Sequence, residues 1–343
     1  MNAINKRTLM VLTTLKKPEH NGMSIRIPLT TLTPLYTGGI GQYGEQVHPS
    51  GLLGSIRYFS CLVAAAVGDR EFINQVWGST GDQHAHAKQV AFRWEVEGLQ
   101  KVNLPSSITL KRDDGKNSKW FFTCAQQGNL VLVLTERGIS DAHWNLLLIA
   151  LRIQIRWASF GAKDQFGLGV LACESLPEVK ALSITVTRPV DTNNFWYMAF
   201  FKVTLVKKPG KTEDQLQNIS SRLSMGLNCR SLLRNALREE SDSINMKNLR
   251  HCMMGSLNEC GSCVDVSAAY FNKSSGFYEQ RLTVLLKPKE SNKRQLVMKR
   301  FMSVLNNMDH ELWRCGEVSY EWGGSVGQSK TISEWLNHLA GVQ

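Results

Sequence analysis

The chain has 343 residues, which is enough for about two domains of ordinary size. A hydrophobic fraction of 43% with a charged fraction of 20% excludes a disordered chain. Lys and Arg together number 40 against 29 Asp and Glu, and the resulting net charge of +11 favours a polyanionic partner. No apolar run approaches the roughly 20 residues of a membrane span. Eight cysteines without an export signal indicate cytoplasmic thiols.

The N-terminal half of the chain predicts alternating strands and helices. A strand begins at Ser24, and a helix with Ser50 as its N-cap runs to Gly68. A second helix begins at Asp141, which we expect to be its cap. The other predicted strands are 89–96, 120–124, 129–138 and 168–175. The order strand, helix, strands, helix, strand is that of a ferredoxin-like α+β domain.

The first predicted helix has two different faces. Its apolar face consists of Leu52, Ile56, Phe59, Val63 and Val67. Its other face consists of Ser50, Gly54, Arg57, Tyr58 and Cys61. The first face predicts packing against a sheet, and the second leaves a cation, a ring and small residues exposed to solvent.

The C-terminal half repeats this order weakly. A strand is predicted in 195–208, a helix in 223–240, a strand in 280–289 and a helix in 293–308. Both halves place an apolar residue before a Gly-Ser pair, at Trp77-Gly78-Ser79 and at Met254-Gly255-Ser256, and each pair precedes a strand. The repetition predicts two copies of one fold.

A glycine-rich segment, WASFGAKDQFGLGV from Trp157 to Val170, follows the second helix, and we call it the glycine loop. Its spacing excludes a Walker phosphate loop and a dinucleotide fingerprint. Glycines let backbone N–H groups approach phosphates, and Lys163 adds charge. Gln165 suits a base edge or a 2′-hydroxyl, and Phe166 suits base stacking. The alternative is a tight helix-to-strand turn with Phe166 in the core.

Four segments in order carry a family resemblance: the strand exit LTPLYTGGI, the helix start HPSGLLGSIRYF, the Trp-Gly-Ser turn and the glycine loop. Together they resemble the RAMP family (repeat-associated mysterious proteins) of CRISPR effector complexes, over most of residues 24–172. The best match is the two-domain member, subunit one, of the Cmr (type III-B) complexes. The family's first helix matches at Ser50, Gly54, Arg57 and Tyr58, whereas His48 and Leu53 replace two of its arginines.

The resemblance implies two tandem ferredoxin-like, RRM-like RAMP domains, which we place at 1–185 and 186–343. It implies a non-catalytic RNA-binding subunit of a type III CRISPR complex that contacts the guide 3′ region, target RNA or both, beside other RAMP subunits. We expect no cofactor, no metal and no membrane. The expected RNA contacts are His48, Ser50, Gly54, Arg57, Tyr58, Gly161, Lys163, Gln165, Phe166, Gly167 and Gly169.

Two other functions stay open at this point. In guide-processing RAMP endoribonucleases a histidine just before the first helix is the general base, which here is His48, with Arg57 or Lys163 as the stabilising cation. Those enzymes carry their glycine loop near the end of the chain, whereas about half of this chain follows it. Target-cutting RAMP subunits use an acidic residue before the first helix, and between Thr37 and Ser50 the only carboxylate is Glu45.

The other alternative is a general cytosolic RNA-binding protein with two RRM-like folds, although the aromatic-rich RRM strand is missing. Lysine and arginine clusters at Lys207, Lys208 and Lys211 and at 287–300 predict electrostatic RNA binding.

A zinc site is a further question, because Cys252, Cys260 and Cys263 lie close in sequence beside His251. Aligned with the first repeat, Cys252 and Cys263 fall on a turn and a strand, which favours ordinary buried thiols.

Overall fold

A computed structural model describes residues 22–38, 44–80, 85–105, 110–111, 117–118, 124–162, 167–183, 197–238, 244–255, 261–323 and 331–342. We call the described residues 22–183 the N-terminal unit and 197–323 the C-terminal unit. The predicted boundary at 185/186 falls outside the described residues and stays a prediction.

The N-terminal unit is one antiparallel sheet covered on one face by helices. Its elements are β1 Ser24–Thr31, α1 Pro49–Val67, α2 Arg70–Trp77, β2 Val90–Asn103, β3 Leu110–Lys111, β4 Asn117–Ser118, β5 Cys124–Glu136, α3 Asp141–Trp157 and β6 Leu171–Ala172. The strands lie in the order β2-β5-β1-β6, and β3 and β4 pair separately. Because the first and third strands of the motif are the inner pair, this is the ferredoxin-like arrangement, which confirms the predicted fold class.

The core of this unit is built as the hydrophobic pattern predicts. The apolar face of α1 is buried, and it packs with α3 over Ile27, Leu29 and the buried leucines of β5. Two predicted caps are wrong. His48, not Ser50, is the N-cap of α1, because Pro49 starts the helix without needing a backbone donor. Ser140, not Asp141, caps α3 and accepts a hydrogen bond from the His143 backbone N–H at 3.3 Å.

The C-terminal unit repeats the arrangement. Its elements are β7 Met198–Lys207, α4 Glu213–Gln217, α5 Ile219–Ala236, α6 Ile244–Met254, β8 Val264–Val266, β9 Tyr270–Asn272, β10 Phe277–Leu285, α7 Ser291–Asn306 and β11 Trp313–Trp322. The strands lie in the order β11-β7-β10-β8, and β9 also pairs with β10. A last helix, α8, spans Ile332–Ala340.

The two Gly-Ser turns occupy equivalent positions in the two units. Gly78 follows α2 and Gly255 follows α6, each with a positive φ, of 73° and 79°. Each glycine N–H donates to a carbonyl of the helix it ends, that of Asn74 or His251. The repeat seen in the sequence therefore corresponds to a repeated glycine at the end of a helix, and two tandem copies of the fold are present.

Helix α8 packs on the N-terminal unit although it lies at the other end of the chain. Trp335 is buried in the core of that unit. Trp157 Nε1 donates to the carbonyl of Leu339 at 3.0 Å, and Arg152 Nε donates to that of Ala340 at 3.0 Å. Side chains of α3 thus satisfy the last carbonyls of α8, which the helix cannot satisfy itself.

The end of α3 is in turn bound by the C-terminal unit. Arg281 Nη1 donates to the carbonyl of Ile155 at 2.7 Å, and Thr283 Oγ1 donates to that of Trp157 at 3.2 Å. The ammonium group of Lys202 lies 4.1 Å from the centre of the Trp157 ring, a cation–π contact. Three side chains of one sheet face therefore hold the helix end at which the glycine loop begins.

Within the described part of the chain, α1 is the one helix long and apolar enough to cross a membrane, with a mean hydropathy of 1.4. Half of that segment is buried, and the helix packs on α3 and the sheet. These contacts are those of a core helix.

Lys202 generates a prediction on pH. Burial, followed by the nearby charges of Arg281 and Arg156, lowers its pKa from 10.5 to about 8. Below pH 8 the ammonium is charged in both the folded and the unfolded chain, so its burial penalty is fully present. Between pH 8 and 10.5 the unfolded chain binds more protons, so folding stability rises with pH. We expect Lys202→Met to remove this rise, which amounts to at most about 3 kcal/mol.

Urea unfolding of the wild type and of Lys202→Met at pH 7.5, 9 and 10 measures the effect. At each pH we compare the difference in the free energy of unfolding between the two proteins, because cysteines and tyrosines titrate in both and their effect cancels. A difference that stays constant across this range would contradict the prediction.

Candidate RNA-binding site

Three segments of the N-terminal unit meet at one end of its sheet: the strand exit (residues 32–38), the start of α1 and the glycine loop. The Ala162 N–H donates to the carbonyl of Tyr36 at 2.9 Å, and the Gly169 N–H donates to that of Pro34 at 2.8 Å. On the other side, the His48 N–H donates to Thr37 Oγ1 at 2.7 Å. The strand exit therefore lies between the other two segments and holds both by hydrogen bonds. The structure thus brings together three of the four segments that carry the family resemblance, all except the Trp-Gly-Ser turn.

The glycines of the loop are required by its own packing. Gly161, Gly167 and Gly169 have positive φ values of 94°, 86° and 87°. A Cβ on Gly161 would clash with the carbonyl oxygen of Tyr36, and one on Gly169 with that of Phe160. Both the positive φ and the close approach of backbone exclude a side chain at these positions.

Gly167 makes the contact between the loop and the C-terminal unit. Its carbonyl accepts a hydrogen bond from the Ala268 N–H at 3.0 Å, and a Cβ on Gly167 would clash with that same nitrogen. The next residue, Leu168, is buried in a small cluster with Tyr36 and Leu223. The second half of the loop is therefore fixed between the two units.

These contacts explain the loop glycines as residues of a tight turn, which is the alternative to an RNA-binding loop that sequence analysis left open. They leave RNA contact at Gly161, Gly167 and Gly169 as a prediction. Lys163, Gln165 and Phe166, the side chains that would meet a base or phosphate, lie outside the described residues.

The outward face of α1 is exposed as predicted. Ser50, Gly54 and Arg57 are exposed, and the Tyr58 side chain is 60% exposed. Space around Gly54 is open, with nothing within 4 Å of a Cβ placed there. Burial raises the pKa of the Cys61 thiol, and a hydrogen bond with Arg57 one turn earlier opposes that rise. A cation and a ring thus lie side by side on this face, and their role in RNA binding stays a prediction.

His48 and Glu45 are the two residues that bear on whether the site could catalyse RNA cleavage. His48 is half-buried at the N-cap of α1, and among the described residues no carboxylate contacts its ring. Glu45 forms an ion pair with Lys101 Nζ at 2.8 Å. The only carboxylate between the strand exit and α1 therefore forms a surface ion pair with a cation of β2.

The basic clusters are partly neutralised within the fold. Lys208 pairs with Asp309 at 2.6 Å, and Lys211 pairs with Glu311 at 3.6 Å. Arg300 donates to the carbonyl of Ala236 at 2.9 Å. Counting the lysines of these clusters in the sequence therefore overstates the charge available to a polyanion, because acidic partners 100 and 101 residues away offset it.

The cysteine group stays without evidence for a metal. Cys252 and Cys263 are half-buried, and Cys260 lies outside the described residues. Burial raises the pKa of the Cys263 thiol, with a hydrogen bond from Lys287 opposing it. In the described ranges no group of three or more His, Cys, Asp or Glu side chains is placed to hold a metal ion.

Arg222 is a site residue that sequence analysis missed. This α5 side chain donates through Nε to the carbonyl of Ala269 at 2.7 Å and also donates to that of Leu32. Burial lowers its pKa. It joins the C-terminal unit to the strand exit, and since these partners are 190 residues apart no local pattern could have indicated the contact.

Comparison with known proteins bears on the class of this fold. Residues 28–172, which make up most of the N-terminal unit, match the sequence profile of the RAMP superfamily. A comparison with curated protein sequences finds no match.

Two of the solved structures that resemble the chain contain Cmr proteins. Cmr1 from Pyrococcus furiosus in its apo form is similar over 88% of this chain and 99% of its own, with 14% identity and a TM-score of 0.47. A chain of the type III-B Cmr-beta complex bound to cognate target RNA is similar over 83% of this chain and all of its own, with 10% identity and a TM-score of 0.51. The latter likeness shows a shared fold across both units.

Gly167 is tightly packed and Gly54 faces open space, and this difference gives a prediction on stability. Gly167→Ala should lower the free energy of unfolding by at least about 1–2 kcal/mol, because a Cβ is strained at positive φ and clashes with Ala268. Gly54→Ala is the matched control, since its Cβ enters open space on a helix. It should raise stability by about 0.5–1 kcal/mol. Urea unfolding of both variants measures this, and equal stabilities would contradict the assignment of Gly167 as a packing residue.

Proposed function

We propose that this chain is a non-catalytic, RNA-binding RAMP subunit of a type III-B CRISPR complex. It contacts the 3′ region of the guide RNA, the target RNA or both, and other RAMP subunits are its neighbours in the cytoplasm. The match of residues 28–172 to the RAMP profile and the fold shared with a chain of the Cmr-beta complex support the assignment. That complex is described as bound to cognate target RNA, which supports RNA as the ligand.

The observation that carries the proposal is the placement of the α1 face beside the glycine loop. Arg57 and Tyr58 project to solvent from the helix whose start is tied to the strand exit. The glycine loop is tied to the same segment on its other side. A guanidinium meets phosphates and a tyrosine ring stacks on bases, and these are the groups by which proteins hold single-stranded RNA.

Chemistry supports binding without cleavage. Attack by a 2′-hydroxyl needs a base to take its proton and a cation to stabilise the phosphorane. His48 and Arg57 could supply these two groups, but the glycine loop lies in mid-chain, unlike that of the processing enzymes, and the one carboxylate before α1, Glu45, is paired with Lys101. A binding role requires neither group.

The first functional prediction concerns RNA affinity. Arg57→Ala and Lys163→Ala should each weaken binding to single-stranded RNA of any sequence and each reduce the salt slope by about one unit. Arg93→Ala is the control, because this exposed cation lies on β2 and pairs with Glu95 on the sheet face away from α1. Fluorescence anisotropy with labelled RNA from 50 to 200 mM salt measures the affinities.

Wild-type affinity should fall by at least about tenfold across that salt range. Wild-type affinity in both charge variants would end the assignment of α1 and the glycine loop as the RNA site. A flat salt profile, or no binding at low salt, would end the proposed function.

The second functional prediction concerns catalysis. Purified protein incubated with repeat RNA and with a guide–target duplex should give no cleavage products. Product ends are analysed by gel electrophoresis and mass spectrometry, with His48→Ala as the comparison. A 2′,3′-cyclic phosphate product that His48→Ala abolishes would replace the proposal with a guide-processing endoribonuclease.

A further inference from the structure

A cleft of about 460 Å³ opens between the two units, and no residue of α1 lines it. Gln127 of β5 lines one side, and the other side is lined by α4, α5 and the β9–β10 hairpin. Its volume lies within the range of about 300–1,000 Å³ that small-molecule sites occupy. The side chains used below are Gln127, Glu213, Arg222, Phe271 and Tyr278.

One wall of the cleft is aromatic. Phe271 is 45% exposed, and its ring meets the Tyr278 ring edge-on at 5.4 Å between centres. Tyr278 is buried and packs against the Phe271 ring. The Phe271 ring itself is partly exposed and lines the cleft. A ring held in this way is a platform on which a planar base can stack.

The polar groups of the cleft are oriented acceptors and donors. Glu213 Oε1 accepts hydrogen bonds from the Tyr278 hydroxyl at 2.7 Å and from Gln217 Nε2 at 3.4 Å. Burial together with this carboxylate raises the pKa of Tyr278. The second carboxylate oxygen of Glu213 receives no hydrogen bond from the described residues. Gln127 brings an amide from the opposite unit.

The described residues that line the cleft include one cation, Arg222, and one carboxylate, Glu213, and this pair of charges suits a nucleotide. The Arg222 guanidinium is held in place by the carbonyls of Ala269 and Leu32. A fixed cation favours a phosphodiester, and a carboxylate favours a partner with N–H donors. Guanine is the RNA base that presents two adjacent N–H donors, N1–H and the 2-amino group, which a carboxylate accepts together.

We infer that this cleft binds one unpaired guanine of the RNA, stacked on Phe271 and hydrogen-bonded to Glu213. The inference rests on the proposed function and deepens it, since it adds base selectivity to backbone binding. Phe271 is then a specificity-determining residue, and it lies in the C-terminal unit, to which sequence analysis assigned no base contact.

The β9–β10 hairpin offers a matched control for the test. Phe277 lies on the same hairpin and is 54% exposed, yet it does not line the cleft. Phe271→Ala and Phe277→Ala therefore remove the same side chain from equally exposed positions. Glu213→Gln keeps an oxygen that accepts from Tyr278 but loses the second acceptor that guanine needs.

The experiment measures affinity by fluorescence anisotropy for two uridine 12-mers, one with a central guanine and one with a central adenine. The wild type should bind the guanine oligomer at least about fivefold more tightly, as one good base-edge contact allows. Phe271→Ala should lose at least about fivefold on that oligomer, the loss of one stacked base. Phe277→Ala should match the wild type, and Glu213→Gln should bind both oligomers equally.

A second measurement locates the base directly. An oligomer with 6-thioguanine in place of guanine, irradiated at long wavelength, should crosslink to the peptide that contains Phe271. Melting temperatures of the variants verify that each is folded. Equal affinity of Phe271→Ala and the wild type for the guanine oligomer, or a crosslink elsewhere, would overturn the cleft while leaving RNA binding intact. Failure of the wild type to bind either oligomer would overturn both this inference and the proposed function.

Discussion

The hydrogen bonds at the end of α3 are the constraint on which the rest of the structure depends. The last carbonyls of a helix have no partner within it, and at this buried position water cannot supply one. Arg281 and Thr283 of the C-terminal unit supply the donors. Donors of the C-terminal unit therefore hold the end of α3, and the glycine loop begins at that point. The position of the loop is thus a property of both units together.

This arrangement separates the conformation of the glycine loop from its use. Glycine is needed at Gly161 and Gly169 because backbone carbonyls of the same unit lie too close for a Cβ, and at Gly167 because Ala268 does. These requirements exist without RNA. A loop whose shape is fixed in advance loses little entropy on binding, so tight packing and ligand binding are compatible. The glycine pattern is therefore evidence of shape, and the case for RNA depends on the exposed groups around it.

Periodicity predicted the parts of the fold that depend on near neighbours. The buried face of α1, with Leu52, Ile56 and Val63, and the repeated turns at Gly78 and Gly255 follow from local pattern. The cap predictions were wrong by one or two residues, because His48 replaces Ser50 at α1 and Ser140 replaces Asp141 at α3. The last predicted strand, 168–175, is shorter than expected, at Leu171–Ala172, because the glycine loop packs across the strand exit. Helix α8 and the contact of Arg222 with Leu32 could not be predicted, since their partners lie more than 150 residues away.

Duplication of the fold has produced two units with different surfaces. In the N-terminal unit, residues 158–170 separate the last helix from the last strand and form the glycine loop. In the C-terminal unit the corresponding connection is only 307–312, between α7 and β11, and it contains no glycine. The second copy instead presents one sheet face to α3, and its β9–β10 hairpin reaches the cleft. Because the cleft is lined by side chains from both copies, a single copy of the fold could not form it, and selectivity there would be a property of the tandem arrangement.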